Sequence, residues 1–234
     1  MHHEALIERL FETLISGNRP ATRKFVREAE GILGSAESVL SDLFWPTHEM
    51  VQKLYKADQI PCLNHHMAVR LLRVMADQQA AKLKHQERRG RSIFALCGAS
   101  ETEELGAQIA VDLIEASGFD IVFGGSGIAN DEVLARVHEE HPDVLLMFSS
   151  AAQDLPNIRG IIDTLHEIGA CPNMQIAVGG GVFNRADGLA DEIGADIYAS
   201  TPLEMVESLI YDADQRAGLA QRTVGRNRTK RRAA

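Results

Sequence analysis

The chain has 234 residues, 45% of them hydrophobic and 24% charged, with a formal net charge of −9; this composition builds packed cores and argues against a disordered or low-complexity chain. No run reaches the roughly 18–20 apolar residues that cross a bilayer, and Met1-His2-His3-Glu4 has none of the parts of a signal peptide, so a cytoplasmic protein with no membrane partner is expected. The three cysteines, Cys62, Cys97 and Cys171, stand in no CxxC or CxxH spacing, which argues against a disulfide framework or a zinc site and for buried free thiols.

From about residue 4 to 87 the apolar positions recur at helical spacing. Leu6, Leu10, Leu14 and Ile15 form a first stripe that Gly17-Asn18 ends, and Pro20 opens a second helix on which Phe25, Ala29 and Leu33 share a face. A third carries Val39, Leu40, Leu43, Phe44, Met50, Val51 and Leu54, and Pro46 should kink or restart it. Met67, Leu71, Val74 and Met75 mark a fourth, over about 63–86. Four amphipathic helices joined by short turns predict an N-terminal four-helix bundle over 1–88. His48, just after Pro46, is read as capping the bundle or facing solvent, and His85, His138, His141 and His166 as lying on polar helix faces.

Residues 86–91 are charged and contain Gly90, as linkers do, and beyond them the period changes. Apolar strands over 93–96, 120–123, 144–148, 175–178 and 197–199 alternate with helices over 105–117, 130–140, 155–168, 186–193 and 202–210. This alternation predicts an α/β domain over 91–212 with a doubly wound, five-stranded parallel sheet. Ligands of such sheets bind beyond the carboxyl ends of the strands, which singles out the loops after Leu96, Phe123, Phe148, Val178 and Ala199. The remaining segment, 213–234, carries Arg222, Arg226, Arg228, Lys230, Arg231 and Arg232. It is read as a solvated basic tail and is the one place where nucleic acid could be contacted, because the body of the chain is acidic.

Three of those loops carry chemistry. Cys97-Gly98-Ala99-Ser100-Glu101-Thr102-Glu103-Glu104-Leu105-Gly106 follows the first strand, Ser149-Ser150-Ala151 the third and Gly179-Gly180-Gly181 the fourth. Glycines admit a ligand close to the backbone, and hydroxyls supply hydrogen bonds in a tight slot. Together with the preceding helical bundle and Ala116-Ser117-Gly118-Phe119, this order resembles the cobalamin-binding modules of methionine synthase and of light-sensing cobalamin regulators, up to about Tyr211. The resemblance implies a flavodoxin-like domain in which Ser149, Ser150, Ala151, Gly179, Gly180 and Gly181 surround the nucleotide tail of cobalamin, with the helical bundle capping the corrin. In that family the loop after the first strand reads DxHxxG, and its histidine is the lower cobalt ligand. Aligned on Gly106, this chain has Glu101 in place of the aspartate and Glu103 in place of the histidine. A carboxylate is a hard donor and a poor substitute for imidazole on a cobalt corrin, so the pocket holds cobalamin with another ligation, holds haem or a bilin instead, or has lost its ligand.

The capping bundles of that family often carry a tryptophan followed ten and eleven residues later by Glu-His. Here Tyr55 stands for the tryptophan, His65 for the glutamate and His66 for the histidine. Neighbouring helical residues point about 100° apart, so one of the pair reaches a given metal, and His66 is the expected ligand. No GxSxG elbow, Walker lysine or HExxH pair is present, and Glu101, Glu103 and Glu104 are explained by the helix dipole, which favours acids in a first turn. A non-enzymatic role is therefore expected. The leading expectation is a tetrapyrrole-dependent sensor or regulator, in the manner of a photoreceptor, that signals to a protein partner. The alternatives are a corrinoid carrier protein for a separate methyltransferase and a ligand-free interaction module, any of which could form homo-oligomers.

Overall fold

The computed structural model describes residues 3–98, 101–169 and 171–217, with side chains for all of these except 101–103. The chain divides into two compact units, Met1–His85 and Gln86–Ala234.

The first unit comprises α1 (His3–Ile15), α2 (Arg19–Leu33), α3 (Ala36–Ser38), a π-helical stretch Val39–Phe44, α4 (Trp45–Lys56) and α5 (Cys62–Ala80). The turn between α1 and α2 forms because Gly17 accepts a φ of 67° and the Asn18 side chain takes the Ala21 amide at 3.1 Å. Proline has no N–H and its ring collides with the carbonyl four residues back. The chain changes winding ahead of Pro46: the Trp45 amide reaches Leu40 O, and Pro46 then falls in the first turn of α4, where a missing donor costs nothing. Leu6, Leu10 and Leu14 of α1 pack with Phe25, Val26, Leu40, Leu43, Phe44, Leu72 and Met75 into a solvent-free core. Each such side chain contributes roughly 1.5–3 kcal/mol on burial.

The second unit contains β1 (Ser92–Cys97), α6 (Glu101–Ala116), β2 (Asp120–Phe123), α7 (Asn130–Glu140), β3 (Val144–Phe148), α8 (Leu155–Ile168), β4 (Gln175–Gly179), α9 (Gly181–Asn184), α10 (Leu189–Ile193), β5 (Ile197–Ala199) and α11 (Pro202–Tyr211). All strand pairs are parallel, in the order β2-β1-β3-β4-β5, the flavodoxin-like order whose winding reverses between β1 and β3. The register pairs Cys97 with Phe148, Phe148 with Gly179 and Gly179 with Ala199, so the carboxyl ends of four strands form one row. β1, β3 and β4 are buried almost throughout, which is why they read as continuous apolar runs. Of the helix expected over 186–193 only Leu189–Ile193 forms, because Gly188 turns the chain through a φ of 77° just before α10. Among the described residues no helix is long and apolar enough to cross a membrane.

The fourth helix stops at Ala80, and residues 86–89 bond to the α6–β2 turn. Gln86 N–H reaches Ala116 O and Arg89 N–H reaches Gly118 O, both at 2.8 Å, while Arg88 pairs with Asp120 at 2.8 Å. The Arg89 side chain donates to Ser117 O at 2.8 Å and lies over the Phe119 ring. Gly118 has a φ of 94°, and a Cβ there would run into the Glu87 carbonyl oxygen. Gly118→Ala is therefore expected to cost the second unit about 1–3 kcal/mol, read as a lower midpoint in urea; an unchanged midpoint would show that residues 86–89 do not rest on this turn. At the far end of the unit, Gln175 donates to Asp212 O at 2.7 Å and Gln215 O at 3.0 Å, and the Ala217 amide reaches Asp196 at 2.6 Å. Residues 212–217 are thus tied to the sheet, and the arginines from Arg222 onward lie outside the described residues.

Candidate functional site

The carboxyl ends of β3 and β4 meet through backbone. Ser149 follows β3 and is 1% exposed. Its amide donates to Gly179 O at 3.0 Å, and the Val182 amide donates to Ser149 O at 3.3 Å. Gly180 closes this contact with a φ of 104°: a Cβ there would strike the Ser149 carbonyl oxygen and stand 2.9 Å from the carbonyl carbon. Only a glycine meets both conditions, the positive φ and the approach to a neighbouring backbone. A Cβ on Gly179 would lie 3.4 Å from the Phe148 ring, and one on Gly181 would lie 2.8 Å from the Arg185 guanidinium. Ser149, Ser150, Ala151, Gly179, Gly180 and Gly181 therefore form one cluster.

Two further residues belong to that cluster, and no spacing in the sequence marks them. Asp154, 7% exposed, accepts the Ser149 hydroxyl at 3.0 Å, while the same oxygen takes the Ala151 amide at 3.3 Å. Arg185 donates to Ser150 O at 2.7 Å from the other side. In the loop after β1, Gly98 N–H reaches Phe148 O at 2.9 Å, and Gly106 is buried within α6. The side chains of Glu101 and Glu103 lie outside the described residues. Glu104 does more than favour a helix dipole: its carboxylate accepts from the Ser126 amide at 3.1 Å and hydroxyl at 2.7 Å, joining α6 to the loop after β2.

The histidines of the helical unit separate sharply. His65 on α5 is fully buried and stacks on Tyr55 of α4, with ring centroids 3.9 Å apart and planes 13° from parallel. Neither of its ring nitrogens has a hydrogen-bond partner among the described residues. His66 is exposed, and its Nε2 lies 3.6 Å from the Cys62 sulfur one turn earlier. His48 corrects the expectation of a capping or surface residue: it is 4% exposed, and its Nδ1 also has no partner among the described residues. Its spacing from Phe44 and Val51 places it on the core face of α4, a signal already present in the sequence. Burial, with repulsion from His65, Lys56 and Arg73, pushes the His48 pKa down to about 4. Burial and then His66 lower that of His65. Neutral imidazole is the form that donates a lone pair to a metal, but among the described residues no three His, Cys, Asp or Glu side chains group to hold an ion.

The strand-end cluster offers glycine backbone, a hydroxyl and a buried carboxylate at the carboxyl ends of β3 and β4. Backbone and hydroxyl groups of this kind would serve to hold the nucleotide tail of a corrinoid. The loop from Cys97 to Gly106 contains no histidine, so it does not fit the family's lower cobalt ligand.

Residues 91–207 match the family model described as B12 binding domain. The chain is 23% identical over 208 residues to dimethylamine corrinoid protein 1 of Methanosarcina acetivorans, spanning 88% of this chain and 96% of that protein. It is 21% identical over 209 residues to the dimethylamine corrinoid protein of Methanosarcina barkeri, again spanning 88% of this chain and 96% of that protein. The solved structure of the Methanosarcina barkeri monomethylamine corrinoid protein shares the fold, with a TM-score of 0.75 at 17% identity over 89% of this chain and 99% of that one.

Proposed function

From the premise that the chain belongs to the B12 binding domain family, we propose that it is a corrinoid carrier protein, holding cobalamin for a separate methyltransferase while lacking the cobalt ligand usual in the loop after β1. Cobalamin, rather than haem or a bilin, is the cofactor of this family. When bound it supplies a cobalt centre that takes up and gives up a methyl group. The observation that carries the proposal is the Ser149–Gly180 cluster at the row of strand ends, within a chain that spans nearly the whole length of relatives named as dimethylamine corrinoid proteins. In this reading Ser149, Ala151, Gly179 and Gly180 receive the nucleotide tail. Asp154 holds the Ser149 hydroxyl in one orientation, and His66 is the nitrogen donor proposed for the metal.

A regulator that reports its ligand to a protein partner is the second reading. It is favoured by Glu103, because a carrier that has exchanged its ligand histidine for a carboxylate has lost the imidazole with which that family holds cobalt.

Reconstitution with methylcobalamin tests both. The wild-type protein is expected to show the absorption spectrum of cobalamin without a nitrogen lower ligand, and Glu103→His to shift it to that of imidazole-bound cobalamin. The His66 donor is read with hydroxocobalamin, whose upper ligand exchanges: His66→Ala is expected to change the spectrum of the bound cofactor, and an unchanged spectrum and affinity would remove the ligand assignment. Transfer of the methyl group to an added thiol by a partner methyltransferase supports the carrier. A spectrum and association state that change on illumination, with no transfer, support the regulator.

A further inference from the structure

The helical unit contains a cavity unrelated to the histidines. Along α5, Leu63, Met67, Arg70 and Val74 follow one another at helical spacing on a single line, and Leu63 is 69% exposed. Met67, Leu71 and Val74 form the floor of a cavity of about 300 Å³, and Gly17 and Arg19 of the α1–α2 turn close its wall together with Arg70. That volume stands at the small end of pockets that take organic ligands. It corresponds to roughly ten water molecules, room for a chain of about eight carbons. Gly17 shapes the wall: it turns at a φ of 67°, and a Cβ there would lie 3.1 Å from the Met67 sulfur.

The charges of the lining have one sign. Arg19 and Arg70 are both exposed, and neither makes an ion pair or side-chain hydrogen bond among the described residues. Arg19 is also the first residue of α2, whose first turn has no acid. A cation at a helix N-terminus opposes the macrodipole, so two arginines, one of them at the positive end of α2, line an otherwise apolar cavity. An anion there relieves both arginines and the helix end, and guanidinium is the group that binds a planar carboxylate in a two-point fork.

We propose that this cavity binds a short amphipathic carboxylate, its apolar chain on Met67, Leu71 and Val74 and its carboxylate held by Arg19 and Arg70. The site is independent of the corrinoid reading, and it gives the helical unit a small-molecule input of its own.

Calorimetric titration of the full-length chain with octanoate, octanol, octylammonium and octyl phosphate tests it. Octanoate is expected to bind saturably at one site, octanol about tenfold more weakly or less, and octylammonium not at all. Arg70→Gln and Arg19→Gln should each weaken octanoate by about tenfold, with the helical circular dichroism unchanged. Val74→Trp fills the floor and should abolish binding, again with the helix signal intact. Octanol binding as tightly as octanoate, or unaltered affinity in both arginine variants, overturns the proposal. Octyl phosphate binding more tightly than octanoate overturns the carboxylate assignment.

Discussion

Gly180→Val is expected to destabilise the α/β unit by about 4 kcal/mol, the sum of two separate faults. A β-branched residue held at a φ of 104° carries backbone strain of about 1–3 kcal/mol. Its Cβ also stands inside the contact distance of the Ser149 backbone, and forcing atoms into a packed site costs a further 1–3 kcal/mol. Neither neighbour can retreat, because Ser149 and Gly179 are joined by the hydrogen bond that continues the β3–β4 ladder. Gly169 supplies the control. It has a φ of 69° but open space around its Cβ position, so Gly169→Val shows the strain alone. Chemical unfolding of both variants gives the comparison, and equal losses would mean that the approach of Gly180 to Ser149 is not a feature of the native state. Under the proposed function Gly180→Val also abolishes cobalamin retention, whereas Gly169→Val retains it.

The architecture was legible because its causes are periodic. The apolar runs at 93–96, 144–148 and 175–178 became β1, β3 and β4, buried on both faces, and the stripe Leu6-Leu10-Leu14 became the core face of α1. The close backbone approach at 179–181 could be read because glycines after a strand admit a neighbouring backbone. Asp154 and Arg185 could not, since each reaches the cluster from a separate turn and neither lies at a spacing that a motif records. Glu104 was hidden for the opposite reason. An acid in a first turn has a sufficient local explanation, and its bond to Ser126 depends on how the loop after β2 folds back. His48 shows that polarity alone misleads: its spacing from Phe44 and Val51 declared a core position, while its side chain suggested solvent.

That buried position gives the helical unit an acid limit. His48 is held neutral in the fold with a pKa of about 4, against 6.5 for an ordinary histidine, chiefly by burial and then by His65, Lys56 and Arg73. Above pH 6.5 the imidazole is neutral in both folded and unfolded chains, and the stability of the unit is complete. As the pH falls below 6.5 the unfolded chain takes up a proton that the folded chain refuses, so stability declines until the folded-state pKa near 4 is reached. The loss over that window is on the order of 3 kcal/mol. His65, its pKa lowered by burial and by His66, contributes a decline of the same sign. Trp45 is the chain's only tryptophan and its ring lies 6.2 Å from that of His48, so its fluorescence reports unfolding of this unit. Urea midpoints followed at Trp45 between pH 4 and 8 should fall towards acid in the wild-type chain, and His48→Leu should remove most of the slope. A slope of undiminished size in His48→Leu would assign the acid sensitivity elsewhere, with His65 on its Tyr55 stack the next residue to replace.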